Sequence, residues 1–188
     1  MSDNFFIGIP VPQTVVSLIK ESGLLIKAAR PTLRLVPGVH AHITVLFLGG
    51  LEKSQVLKFC EIMKNIKDSF SAFELSSGSL LCFPNVKHAR VITYSVQDPA
   101  RSLERLHNTL ETSILDGGAK IDSKPWKPHV TIGRFHEPRN LSILSSSVFL
   151  KKPVSWTVNS MCMYRSEPLQ SGGRRYSVLE EMMLNYAQ

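Results

Sequence analysis

The 188-residue sequence predicts an α/β or α+β domain built of two similar lobes, and three observations carry that expectation. Short β-prone runs alternate twice with stretches whose apolar residues fall at helical spacing. A histidine and a threonine two residues apart occur as His42-Ile43-Thr44 and again as His129-Val130-Thr131, a spacing of 87 residues. Upstream of each pair the same features follow in the same order: a strand, a proline-started helix, a loop, then the strand bearing His-x-Thr.

The elements have local reasons. "FFIGIP" (residues 5–10) is a β-prone run, and Pro12 opens a helix whose Val15, Val16 and Ile19 form an apolar stripe expected to stop near Gly23. "HAHITVLFLGG" (40–50) reads as a strand. Residues two apart share a strand face, so His42 and Thr44 point one way and Ile43 and Val45 the other. A helix is expected over about 54–66, burying Val56, Phe59, Cys60, Met63 and Ile66 and leaving Lys58, Glu61, Lys64 and Lys67 to solvent. Strands follow near 73–75 and 79–83, with a turn at Phe83-Pro84-Asn85.

In the second half, an offset of 87 residues lays Phe6–Ile9 on Thr93–Val96 and Pro12 on Pro99. Asp98 is expected to cap a helix with Pro99 in its first position. Leu103, Leu106, Leu110 and Ile114 form its stripe, and Gly117-Gly118 ends it. "KPHVTIGRF" (127–135) repeats the motif strand. Residues 137–147 read as a loop or short helix, 155–166 as a strand, 171–175 as a hairpin tip and 176–182 as the returning strand.

Composition bounds the class. Hydrophobic residues make up 43% and charged residues 20%, values of a globular chain rather than a disordered one. No apolar run approaches the roughly 20 residues that span a bilayer, and the N-terminus has no basic stretch ahead of its apolar run, so neither membrane insertion nor a signal peptide is expected. Cys60, Cys82 and Cys162 form no CxxC and are expected as free thiols in a reducing, cytoplasmic setting, without a zinc site. A net charge of +7 suits a phosphate-rich partner, although the lysines and arginines are spread along the chain rather than gathered in a tail.

Two imidazoles and two hydroxyls facing each other across a pseudo-two-fold axis suit acid–base chemistry at phosphorus. An imidazole titrates near pH 6.5, so one ring can be neutral while the other is protonated. One takes a proton from the nucleophile and the other gives one to the leaving group, and in-line displacement wants them on opposite sides of the phosphorus. Thr44 and Thr131 can donate to the non-bridging oxygens, and a nearby cation such as Arg134 can offset their charge.

On the stretches "HITVLFLGG", "FPNVKHARVI", "KPHVTIGRF" and "YRSEPLQSGGRRYSVLEE", the chain resembles the two-histidine (2H) phosphoesterase superfamily. It is similar in particular to the RNA 2',3'-cyclic phosphodiesterase branch, also called 2'-5' RNA ligase. The resemblance implies a bilobal, pseudo-two-fold α+β fold over residues 1–188, with two mostly antiparallel sheets around a central groove and helices outside. It implies that His42 and His129 are catalytic and that Thr44 and Thr131 bind the phosphate. The implied reaction is cofactor-free and metal-free opening of a 2',3'-cyclic phosphate, on RNA ends or nucleotides, to a 2'-phosphomonoester; a monomer off the membrane is expected. Cleavage or formation of 2'-5' linkages, and a non-catalytic RNA-binding module, are the alternatives. Two positions depart from the pattern. Leu46 stands where many relatives have a polar or basic residue between the first motif and Phe-Leu-Gly, and Asn4 stands where the first strand often opens with arginine.

Further candidates divide. Arg134, three residues past Thr131, falls on the opposite strand face unless the strand bulges, which leaves an ion pair or phosphate binding open to it. Tyr176 matches a family tyrosine and either packs or reaches the groove. Trp126 is the stronger candidate for stacking a base, and Phe83 the weaker, being expected at the core or rim. His40, His88, His107 and His136 lack mates in the repeat and are expected on the surface.

Overall fold

The two halves of the sheet meet at one residue pair, Ile43 opposite Val130. The computed structural model describes residues 3–121, 125–142, 152–170 and 173–185. In chain order the elements are β1 (Asn4–Pro10), α1 (Gln13–Ala29), β2 (Arg34–Leu35), β3 (His42–Gly49), α2 (Lys53–Lys67), β4 (Phe73–Phe83), β5 (Ala89–Gln97), α3 (Ser102–Asp116), β6 (His129–Arg139), β7 (Ser155–Val158), β8 (Ser160–Pro168) and β9 (Arg174–Met183). The strands run β7-β4-β5-β6-β3-β1-β8-β9, with β2 added beside β6, and the pairs along this path are antiparallel. This is the expected α+β arrangement, with half-sheets β7-β4-β5-β6 and β3-β1-β8-β9 related by the repeat.

The helix of each repeat packs on the motif strand of the other. Ser22 of α1 is hydrogen-bonded to Tyr94 of β5 at 2.7 Å, and a Cβ on Gly23 would lie 3.2 Å from Ile132 of β6. His107 of α3 is hydrogen-bonded to Val45 of β3. The alternation read from the sequence explains the core beneath. Ile43, Val45, Val130 and Ile132 are all buried and face the helices, where Leu103, Leu106 and Leu110 are fully enclosed. Burying each such side chain contributes about 1.5–3 kcal/mol.

Several boundaries differ from expectation. Helix α1 runs through Gly23 to Ala29 because Ile26 continues the buried stripe. Gly23 is a contact point instead of a stop: a Cβ there would sit 2.7 Å from Leu35. Helix α3 starts at Ser102, not Pro99, after Arg101 with φ 54°. Asp98 still satisfies its first turn, accepting from the Ser102 and Glu104 amides at 3.0 Å each. Strand β4 is continuous where two strands were expected, and the 155–166 strand breaks at Asn159. Residues 137–139 extend β6, and the rest of the 137–147 segment beyond 142 lies outside the described residues, as do 171 and 172 of the hairpin tip. Phe83 to Asn85 turns as expected, with the Asn85 side chain accepting from the amides of Lys87 and His88. Finally, the offset of 87 holds for the motif strands only. Gly8 pairs with Thr44 and Thr93 with Thr131, so β1 and β5 correspond two residues out of step with that offset, which keeps every side chain on its expected face.

Candidate active site

The register places four side chains around one point. With Ile43 opposite Val130 in an antiparallel pair, His42 falls across from Thr131 and Thr44 across from His129. Ile43 and Val130 face the core, so these four face the other side, where they line a groove of about 450 Å³ together with Phe47, Phe83, Arg134 and Tyr176. The pseudo-two-fold axis therefore passes through the Ile43–Val130 pair, and each histidine sits beside the threonine of the other repeat.

Both imidazoles are held in the same way. His42 Nδ1 donates to the His40 carbonyl at 2.7 Å, and His129 Nδ1 donates to the Lys127 carbonyl at 2.7 Å. A carbonyl can only accept, so the Nδ1–H tautomer is fixed in both rings and Nε2 is left as the nitrogen with a free lone pair. Desolvation is the main influence on each. It lowers the His42 pKa to about 4, against the opposing bond to His40, with His129 and Arg134 adding repulsion. The His129 pKa is lowered for the same main reason, again with Arg134 contributing. In the free site at neutral pH both rings are therefore unprotonated, in a setting that favours an incoming anion. His42 is further enclosed by Phe6, whose ring centroid is 4.7 Å away, and meets Tyr176 edge-on at 5.2 Å.

The motif strands share a second device. On β3, Leu46 pairs with Ile7 and Thr44 with Gly8, so Val45 is an extra residue; on β6, Gly133 pairs with Ile92 and Thr131 with Thr93, so Ile132 is extra. Each bulge reverses the alternation beyond it. Arg134 consequently joins the groove face with Thr131, which settles its placement, and its counterpart Phe47 does the same on the other side. Leu46, the position at which the family pattern is broken, is buried against the core.

Of the remaining candidates, Tyr176 lines the groove, packed edge-on against Phe6 at 5.5 Å and His40 at 5.4 Å. Phe83 lies at the rim, its centroid 5.4 Å from His129. Trp126 stacks on His107 at 4.1 Å with the rings 7° from parallel, and its Nε1 donates to the Thr44 carbonyl at 3.0 Å. Two histidines expected on the surface are not there. His107 is buried, because its Nδ1 donates to the Val45 carbonyl at 2.8 Å and its ring is covered by Trp126. His40 is half-buried behind His42, whose imidazole it holds through its carbonyl. His88 and His136 are exposed, as expected.

Arg174 was not singled out by the sequence. It also lines the groove, where it donates to Ser166 Oγ at 2.5 Å and to the Ser166 carbonyl at 2.6 Å. Phe47 was missed because strict alternation puts it on the wrong face. Among the described residues, no three His, Cys, Asp or Glu side chains gather as metal ligands, and no helix is long and apolar enough to cross a membrane. The three cysteines are free.

Paired imidazoles with fixed tautomers, flanking hydroxyls and the guanidiniums of Arg134 and Arg174, set on a duplicated antiparallel α+β frame, suit chemistry at a phosphoester. The chain belongs to the 2'-5' RNA ligase superfamily, whose family model matches residues 19–168. It is 25% identical over 172 residues, 90% of each chain, to the RNA 2',3'-cyclic phosphodiesterase of Methanothermobacter thermautotrophicus. It is 25% identical over 134 residues, 70% of each chain, to the one of Bacillus subtilis. Among solved structures, a Thermus thermophilus protein superposes with a TM-score of 0.81 at 22% identity, covering 98% of this chain and 100% of that one. Escherichia coli LigT superposes with a TM-score of 0.72 at 22% identity, covering 97% and 98%, and has also been crystallised with 3'-AMP.

Proposed function

We propose that this protein hydrolyses 2',3'-cyclic phosphates, at RNA ends or in nucleotides, to 2'-phosphomonoesters without a metal ion. The observation that carries the reading is the pair of Nδ1-anchored imidazoles facing one groove, each opposite the other strand's threonine. The relatives' names support the substrate class.

In this reading a cyclic phosphate sits over the Ile43–Val130 pair. One Nε2 takes a proton from water as its oxygen attacks phosphorus, the P–O3' bond breaks, and the other imidazolium gives its proton to O3'. Thr44 and Thr131 donate to the non-bridging oxygens, and Arg134 balances the charge that develops there. The bound anion supplies what the free site lacks, since a negative charge beside the two desolvated rings favours protonation of one of them. Tyr176 and Trp126 border the substrate. The protein is expected to act as a monomer in the cytoplasm, which size-exclusion chromatography and fractionation test.

The decisive experiment is mass analysis of products from cyclic, 2'-5'-linked and 3'-5'-linked substrates, with and without excess EDTA. A 2'-phosphate product, undiminished by EDTA, is the expected result. Activity abolished by the chelator overturns the metal-free route. Salt-sensitive RNA binding with no turnover of any substrate overturns the enzymatic reading altogether.

A further inference from the structure

Beside the groove lies a second cavity of about 580 Å³, within the range of small-molecule sites, and the two share Thr44, Phe47, Phe83 and His129. Its walls are aromatic: Phe47, which is 48% exposed, Phe83, and Trp126 locked by its stack on His107. Among the described residues, one anionic side chain borders it, Glu111 of α3. That carboxylate lies 3.9 Å from His107 Nε2, too far for a hydrogen bond, and makes no hydrogen bond among the described residues. An ionised carboxylate accepts and cannot donate.

From this juxtaposition we infer that the cavity receives the base of the nucleotide that carries the cyclic phosphate, and that Glu111 selects bases presenting N–H donors, guanine first. The inference rests on the proposed hydrolytic function and adds the base preference to it. A planar, polarisable ring suits walls of phenylalanine and tryptophan, whatever its sequence identity. Discrimination comes from the edge. Guanine presents N1–H and N2–H side by side and can engage both carboxylate oxygens. Adenine and cytosine present one amino group. Uracil presents one N–H between two carbonyl oxygens, which a carboxylate repels. The connection to the groove puts the base on the His129 side of the phosphate, over the wall that Phe47 contributes.

The test compares kcat/KM for the four nucleoside 2',3'-cyclic phosphates, with a base-free substrate, glycerol cyclic phosphate, run on the wild type. The expected order is guanosine first and uridine last, separated by about tenfold or more, the size of bidentate base discrimination. Glu111→Gln, which keeps the side-chain shape but turns one oxygen into a donor, should bring the guanosine-to-uridine ratio close to one. Equal kcat/KM for all four bases in the wild type overturns the inference without any mutant, and so does a guanosine preference that survives Glu111→Gln. If Glu111→Gln does not fold, the affinities of the wild type for 2'-GMP and 2'-UMP decide the matter, equal values overturning the inference. Failure to open even glycerol cyclic phosphate sinks the hydrolytic reading itself, whereas uniform turnover of all five substrates sinks only the base pocket.

Discussion

The two motif strands carry the same pattern of burial, His-x-Thr and a bulge, yet their outer edges are finished differently. Beyond the bulge of β6, strand β2 closes the edge by backbone pairing, Arg34 with Arg134 and Leu35 with Gly133, and the Val36 amide donates to the Ile132 carbonyl at 2.9 Å. Beyond the bulge of β3 no strand is added among the described residues. The Thr44 and Val45 carbonyls are met instead by two side chains, Trp126 and His107. One position differs at the point of closure. A Cβ on Gly133 would lie 2.8 Å from the Arg34 carbonyl oxygen, so β2 fits only because that position is glycine; the counterpart on β3 is Leu46. Leu46 lines the larger cavity beside Phe47 instead. A duplicated frame has thus become one charged flank, with Arg134, and one aromatic flank, with Phe47.

Substitutions break this comparison to different degrees. His42→Ala and His129→Ala should cost most, each lowering kcat on a cyclic nucleotide by about 10²–10⁴-fold, the usual contribution of a positioned acid or base. Comparable losses at the two positions would fit the symmetry, and near-normal turnover in either variant would contradict it. Arg134→Gln should raise KM by about tenfold, as expected for loss of a charge-assisted hydrogen bond, whereas Phe47→Leu on the opposite flank should leave the response to inorganic phosphate as an inhibitor unchanged.

The pH dependence is next. With both free imidazoles shifted below 6.5 by burial, the free enzyme holds the one-protonated state in rising proportion as pH falls from 8 to 6. In that range kcat/KM should climb by up to about tenfold per pH unit. A flat profile would mean that neither ring acts as the acid. The same shift affects folding, and its sign follows from proton uptake. The unfolded chain protonates His42 near pH 6.5 while the folded chain resists until about 4. Stability is therefore lost as pH falls between those values, by at most a few kcal/mol. Urea titrations at pH 7 and pH 4.5 should show a smaller drop for His42→Gln than for the wild type.

The smallest effects concern the edges themselves. Gly133→Ala should destabilise by about 1–3 kcal/mol, because the clash is with backbone and β2 must move. Trp126→Phe, which removes one donor and preserves the ring, should cost about 1 kcal/mol in thermal or urea unfolding. A larger loss for Trp126→Phe than for Gly133→Ala would reverse the ranking of the two closures.

Much of this was legible in the sequence, and the reasons are local. The repeat, the motif histidines and threonines, and the apolar stripes of α2 and α3 depend on short-range periodicity, which the fold preserved. The bulges were not legible, because nothing in "ITVLF" or "VTIGR" marks which residue will be extra; hence Phe47 was overlooked and Arg134 left between two roles. His107 was misplaced on the surface because its reason for burial lies far along the chain, at the Val45 carbonyl and the Trp126 ring. Gly23 was read as a stop because its real function, the close passage of Leu35, is tertiary.

Each catalytic candidate ring draws its orientation from a carbonyl two residues earlier, in the turn or loop that leads into its own strand. No distant carboxylate or partner element is needed to choose the tautomer. Such a motif is a portable cassette: copying one strand with the two residues ahead of it copies an imidazole of fixed tautomer together with its own clamp. Gene duplication could then yield a two-sided catalyst in a single event, leaving later substitutions to specialise the flanks.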